Sequence, residues 1–506
     1  MKKNIKEIQQ KIRNEQTIIE QRLESVRNVT TESPVFAGGN IQYEISKKVS
    51  AINCGGIGAI VKMVNSIGLD RNINDGVKIL KIHKPYHESD HVLNMAYNSI
   101  CGGRTIDDLE LLRNDRVYLD AIGAQSIPDP TTEGDFCRRF SEDTIYDLES
   151  AVNRSRLNVW RQQPDSFFEC AKIDLDGSLV GTLGETKQGM DISYNGVWGY
   201  HPLIVSLANT REPLFIVNRS GNRPSSEGAH IVAQKAIDLC NDAGFKDILL
   251  RGDTDFSMTQ YLDGFNRQNV RFIFGFDARK NMIENAEGLD AKAFEELTRK
   301  ADEEIERRRR PENVKEEIIK QRGYENIKLS GEEVADFAYR PGKCDQEYRI
   351  IVVRKNLTIQ MGDLALFDEY RYFFYITNDW LLLNEEVVKE AGQRCNQENL
   401  IEQLKNGVRA LHAPVNTLNA NWAYMVMVSL AWSLKAWMAL LLPVNANDKA
   451  RDQARKNTVL MMEFRKFVNN FILRPCQIVK TGRRIIYRFL SWNPWQDVFF
   501  RFVNGA

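Results

Sequence analysis

A chain of 506 residues is too long for one ordinary hydrophobic core, so two or three units are expected. Its 43% hydrophobic and 27% charged residues are those of an ordinary globular protein, and Lys plus Arg balance Asp plus Glu at 68 each, so net charge names no polyanionic partner. The balance hides a polarised end: from Lys449 to Arg501, twelve basic residues stand against Asp452, Glu463 and Asp497, which favours a phosphate-facing segment over a merely solvated one.

Residues 1 to about 35 read as a polar, partly helical leader with no apolar signal core. From Val49 to Phe140 the pattern is helical, broken at Gly55-Gly56, at Gly102-Gly103 and at the Pro128–Pro130 turn. Residues 1–160 are therefore expected to form a helical region, for which DNA reading and dimerisation are both open. His83, His87 and His91 recur every fourth residue, but Pro85 would break the helix that puts them on one face, so structural or surface histidines are favoured over a metal site.

The block 161–280 changes character. Ala171, Ile173 and Leu175 alternate with Lys172, Asp174 and Asp176, which predicts a strand. Strands over Gly199–Leu207 and Pro213–Asn218, a helix from Ser225 to about Asp242, a short strand Asp247–Leu250, a helix over Ser257–Arg267 and a strand Val270–Phe276 follow. Residues 281–384 read as an insertion, first rich in Glu, Lys and Arg, including Arg307–Arg310, then β-rich around Val334–Tyr339, Tyr348–Val353 and Tyr370–Thr377. A single long helix is expected from Glu385 through Glu398 and Lys405, within a last core segment 385–448. Ala423–Leu442 is nearly long enough to cross a bilayer, yet a buried core helix is the favoured reading; residues 449–506 form the basic tail. The eight cysteines contain no Cys-x-x-Cys pair, which suits a reducing cytoplasm and argues against a zinc ribbon or disulfide scaffold.

The carboxylates carry the chemistry. Asp174 and Asp176 project from one strand face, where two like charges repel unless a cation or a proton lies between them. Asp253 follows a neighbouring strand, at the end where open α/β sheets place ligands. A helix bringing Glu398 to that edge would complete a hard-oxygen set suited to Mg²⁺ or Mn²⁺. Two such ions about 4 Å apart would activate an attacking oxygen and stabilise a leaving one. Alone, Asp253 in its Gly-Asp-Thr turn reads as a structural cap; the order of elements gives it weight. First Asp on strand one, second Asp after strand four and Glu on a last helix predict an α/β fold with a ribonuclease H-like core, a β-rich insertion and a helical N-terminal region.

Three segments in order resemble a known family: Asp174-Leu175-Asp176-Gly177-Ser178, Gly199-Tyr200-His201-Pro202-Leu203 and Arg251-Gly252-Asp253-Thr254-Asp255-Phe256. They are similar to the D-x-D-x-[ST], G-Y-H-P-L and R-x-D-[ST]-x-F blocks of DDE transposases of bacterial insertion sequences. Arg394, Glu398 and Lys405 match the spacing of Y-x2-R-x3-E-x6-K, with Ala391 at the Tyr position; Asp255, where relatives tend to have Gly, is a second departure. The resemblance implies a metal triad of Asp176, Asp253 and Glu398, with Asp174 as a further ligand, a second-sphere group or a salt-bridge residue. It assigns DNA contacts to Arg394 and Lys405, to which the basic tail adds Arg483 and Arg484. It further implies two Mg²⁺ or Mn²⁺ ions, double-stranded DNA with terminal inverted repeats, a target DNA, a homodimer in the synaptic complex, no membrane, and a place in the bacterial cytoplasm, at the nucleoid when DNA-bound. A nuclease that never joins ends, and a transposase-derived DNA-binding protein, are the competing readings. His201 is expected at a strand end rather than as a base, and Trp198, Trp380 and Trp422 are weighed as core residues or base-stacking platforms.

Overall fold

The strand predicted by alternation forms as β1 (Ala171–Gly177) in the computed structural model, which describes residues 2–27, 41–43, 45, 49–298, 325–361, 364–482 and 484–505. Chain order then follows the prediction: β2 (Leu203–Leu207), β3 (Glu212–Val217), a helix, β4 (Ile248–Gly252), a helix, and β5 (Arg271–Phe276). The expected strand 199–207 is two pieces, Trp198–Tyr200 and β2, because Pro202 lacks an amide hydrogen and ends the ladder between them. The helix after β3 starts at Ala229 rather than Ser225, since Gly228 takes a left-handed φ of 68° ahead of it.

β1 lies in the middle of these strands, antiparallel to β2 and parallel to β4, which is parallel to β5; β3 pairs antiparallel with β2. The spatial order is β3-β2-β1-β4-β5. β4 reaches β5 by a crossover through one helix, and β1 reaches β4 through β2, β3 and a helix, so both parallel pairs have the long connection that parallel pairing demands.

The segment expected as an insertion supplies three long strands, β6 (Glu325–Tyr339), β7 (Tyr348–Met361) and β8 (Leu364–Thr377). They are longer than their apolar stretches suggested and they continue the central sheet, because β8 pairs with the far edge of β5, from Phe374↔Phe276 to Thr377↔Ile273. With the short strand Glu295–Glu296 paired to β6, a mixed sheet of nine strands results among the described residues, flanked by helices. The Arg307–Arg310 run lies outside the described residues.

Helices α1 (Glu88–Ile100) and α2 (Glu142–Trp160) of the N-terminal region, and α3 (Ala229–Ala243) of the core, precede in the chain the helices of the C-terminal half. The expected helix from Glu385 to Lys405 is not continuous. α4 (Asn384–Gly392) stops at Gly392, α5 (Cys395–Glu402) restarts after Arg394, and Gln403–Gly407 is a π turn. The break has a cause: Gln397 Nε2 donates to the carbonyls of Asp174 and Ile204, both at 3.0 Å, and so seats α5 across β1 and β2 on its own axis.

The apolar stretch is α6 (Leu418–Leu440), whose residues from Ala420 onward are all buried, packed on α1, α2 and β3. Its polar groups are satisfied inside: Lys435 Nζ donates to the Leu460 carbonyl at 2.5 Å and sits over the Trp432 ring, and burial pushes its pKa down to about 7. At the start of β3, buried Glu212 accepts from Arg156 Nε at 3.0 Å and Trp160 Nε1 at 3.1 Å of α2 and from Trp437 Nε1 of α6 at 2.6 Å, which binds three elements through one carboxylate. A helix that is apolar all round needs protein neighbours on every side. The chain is accordingly expected in the soluble fraction without detergent; partition into membranes that survives alkaline washing would contradict this packing.

The basic end folds back rather than trailing free. Cys476–Thr481 pairs antiparallel with Ala51–Ile52 and with Arg484–Phe489, while Phe467, Phe471 and Phe502 are buried. Several of its cations are neutralised locally, Arg455 by Asp497, Arg501 by Asp452 and Lys480 by Asp120. Arg484 opens an exposed strand, and Arg483 lies outside the described residues.

Candidate active site

Lys172, Asp174 and Asp176 stand in a row on one face of β1, as two-residue periodicity requires, and Glu390 of α4 and Arg394, between α4 and α5, reach that face. Lys172 Nζ meets Glu390 Oε1 at 2.6 Å. Asp174 is almost fully buried and receives a two-pronged bond from Arg251 of β4, Nε to Oδ1 at 2.7 Å and Nη2 to Oδ2 at 2.9 Å. Arg251 Nη1 goes on to the Glu390 carbonyl at 3.0 Å. Asp174 is thus the acid of a buried, two-pronged salt bridge.

Two residues on, the strand emerges and the environment changes. Asp176 Oδ1 accepts its neighbour Gly177's amide at 2.8 Å, and Oδ2 lies 3.1 Å from Arg394 Nη1. Burial raises the Asp176 pKa to about 6; Arg394 works against the rise, while the charges of Asp253 and Glu398 add to it. Asp253 directly follows β4, whose Arg251 is in register with Asp174. Its Oδ1 accepts from the Asp255 amide at 3.0 Å, and burial raises its pKa, with Arg394 opposing. Gly275 of β5 makes room for this turn: a Cβ there would come within 2.9 Å of the Thr254 nitrogen. Burial lowers the pKa of Lys405, which the Asp176 charge partly restores.

Asp176, Asp253, Glu398, Arg394 and Lys405 thus form one electrostatic cluster at the carboxyl ends of two adjacent parallel strands. It is not closed around a point. Among the described residues, the group of possible ligands whose atoms all lie within 4.8 Å of one another is elsewhere, at His83, His87 and Glu88. Arg394 stands as counter-ion to Asp176, and Glu398 is solvent-exposed on the first turn of α5. The carboxylates of Asp176, Asp253 and Glu398 offer hard oxygen donors, burial disfavours the negative charge of Asp176 and Asp253, and a divalent cation would relieve that cost where Arg394 already supplies positive charge.

A family model described as transposase DDE domain group 1 matches residues 49–505. The chain belongs to the DDE transposase family. Transposases of this family act on DNA with divalent metal ions, and the acidic cluster of this transposase lies within the matched span. A solved structure, the cryo-EM structure of the piggyBac transposase synaptic complex with hairpin DNA, is similar over 83% of this chain and 79% of that one, at 10% identity and a TM-score of 0.39. That likeness is too loose to carry any residue role across. No curated protein matches the chain.

Other sequence candidates fall apart in space. Trp422 is buried and donates to the Ile216 carbonyl, so it is no platform for a base; Trp198 and Trp380 are 39% and 52% exposed. His201 is buried at the strand end, its Nδ1 bonded to the Arg223 carbonyl at 2.8 Å and its ring over Gly177. His91 is a core residue, 3.2 Å from Glu133 and stacked on Phe136. Sequence reading missed Arg251, Glu390 and Gln397 as positioning residues. A buried arginine beside a strand carrying Asp174 had to find an acid, and that requirement was the available signal.

Proposed function

We propose that this transposase is encoded by a bacterial insertion sequence, cuts the phosphodiester backbone at the terminal inverted repeats of its element and joins the freed 3′-hydroxyl to target DNA. The observation that supports the reading is Asp176 at the end of β1, paired with Arg394 and within electrostatic reach of Asp253, which follows β4, of Glu398 and of Lys405. The order β3-β2-β1-β4-β5, with β1, β4 and β5 parallel, supports a ribonuclease H-like core spanning 161–280 and 385–448.

In this reading Asp176, Asp253 and Glu398 would hold two Mg²⁺ or Mn²⁺ ions, which when bound would neutralise charge at the phosphate and acidify the attacking oxygen. Asp176 and Asp253 orient the cations from rigid strand ends, and Glu398 turns in from the first turn of α5. Arg394, here paired with Asp176, would be free for a non-bridging phosphate oxygen once that carboxylate was neutralised, and Lys405 would contact the backbone on the same side. Gln397 and the Asp174–Arg251–Glu390 chain keep α4 and α5 seated on the sheet, so that Glu398 approaches from a fixed direction. The helical region 1–160 reads DNA ends or pairs protomers, a homodimer forms the synaptic complex, the strands of 281–384 extend the DNA-facing sheet, and Arg483 and Arg484 of 449–506 face phosphate. The protein works at the nucleoid.

The test is incubation of the purified chain with end DNA, target DNA and Mg²⁺. Metal-dependent nicks at the element ends and covalently joined products are expected. Nicks without joining would leave a nuclease, and binding without nicks a DNA-binding relative.

Cation affinity should fall by about tenfold per pH unit below about 6, because Asp176 then holds a proton that the cation must displace. In the metal-free chain the sign is that of a raised carboxyl: neutral Asp176 favours the fold below its ordinary 3.8, and that contribution is lost as pH rises through about 6. Calorimetric titration of Mg²⁺ or Mn²⁺ between pH 5 and pH 7.5 checks it; affinity independent of pH over that range would contradict it.

A further inference from the structure

Glu88 opens α1 and is 1% exposed although charged. Its Oε1 accepts the backbone amides of Ile79 at 3.2 Å and Leu80 at 3.1 Å, and both carboxylate oxygens face His83 Nε2, Oε2 at 3.2 Å and Oε1 at 3.4 Å. His87 stacks on His83 with ring centroids 4.9 Å apart and planes 6° from parallel. One ligand atom from each of the three lies within 4.8 Å of the other two. Ligand atoms about 3.3 Å apart are what a tetrahedral ion with bonds of 2.0–2.1 Å requires, and the His83–Glu88 separation already matches.

The geometry points to a transition-metal site formed by His83, His87 and Glu88, taking Zn²⁺ or a similar nitrogen-preferring dication, with its fourth position left to water. Two imidazole nitrogens and one carboxylate oxygen select this class over Mg²⁺, which prefers oxygen, so the site is chemically distinct from the acidic cluster of Asp176. The Glu88 carboxylate is held in place by the two amides it accepts. Both histidines are exposed, so an ion can reach them without any opening of the core.

The consequence is mechanical. The connection from Val77 to His87 has no regular structure and is tied to α1 by the Oε1 bonds of Glu88. An ion on His83 and His87 would fasten the far half of that connection as well. The same connection walls a groove of about 720 Å³ opposite Thr132, Phe136 and Arg139. At its other end α1 reaches the catalytic half, where Ser99 Oγ donates to the Val408 carbonyl at 3.1 Å, three residues past Lys405. The ion would thus stiffen a helix that supports the candidate active site from behind.

Zn²⁺ titration of the full chain at pH 7.5 in excess Mg²⁺ tests the assignment. One saturable zinc site per chain is expected, present in Asp176→Asn and lost in the His83→Ala/His87→Ala double variant. On the unaltered chain, zinc should also shield His83 and His87 from diethyl pyrocarbonate by roughly tenfold while leaving His412 unaffected, a readout that needs no variant to fold. No saturable zinc in excess Mg²⁺, zinc retained by the double variant, zinc lost in Asp176→Asn, or unshielded His83 and His87 would each overturn it.

Discussion

Alanine at Asp176, Asp253 or Glu398 is expected to cut strand cleavage by on the order of 10³-fold or more, because each removal withdraws a cation ligand and its transition-state charge stabilisation together. Binding to end DNA should change only a few-fold, since affinity resides mainly in separate phosphate contacts. Asp176→Ala should also leave the fold intact: its partner Arg394 is 21% exposed in the side chain and can turn to water. The checks are a nicking assay on end DNA, a filter-binding or fluorescence measurement of affinity, and a melting curve for each variant. Cleavage that persists in any one of the three would remove that residue from the site. A loss of cleavage that tracks a loss of fold would remove the argument for chemistry.

The opposite pattern is expected two residues earlier. Asp174→Ala should destabilise the protein by about 3–5 kcal/mol, the usual cost of stripping the partner from a buried ion pair. Arg251 is 2% exposed in its side chain and would keep only Glu390 as an acidic neighbour. The double variant Asp174→Leu/Arg251→Met should recover most of that loss, because removing both charges also removes the desolvation cost that their pairing offsets. Urea and thermal midpoints measure it. An Asp174→Ala protein of unchanged stability but without cleavage would place Asp174 among the cation ligands and overturn the division of labour drawn along β1.

These two aspartates show what kind of information the chain carries locally. Alternation placed Asp174 and Asp176 on one face of one strand, and that was right, because strand periodicity is a property of the backbone and needs no partner. It could not tell them apart. Their difference arises from Arg251, seventy-seven residues on, which reaches one and not the other because β4 runs parallel to β1 in one particular register. The same contrast recurs through the fold. Element types from 171 to 276 were legible because β1 alternates and β2 to β5 are short, almost wholly buried runs bounded by turns, and α6 was legible as a core helix because its apolar residues point in every direction.

The helix expected from Glu385 to Lys405 was not legible as a broken one. Helical spacing continues through Gly392 in the sequence, and the interruption comes from two carbonyls of β1 and β2 that capture Gln397. Likewise the three strands after residue 325 read as a β-rich insertion, but only pairing of β8 with β5 makes them part of the central sheet. The basic tail read as a phosphate-facing segment, and the partners that neutralise Lys480 and the pairing that buries Cys476 lie more than three hundred residues away. Patterns that depend on one element's own burial are written in its residues. Charge pairing, register and helix termination depend on which distant groups the fold brings within hydrogen-bonding reach, so they were decided only when the sheet closed.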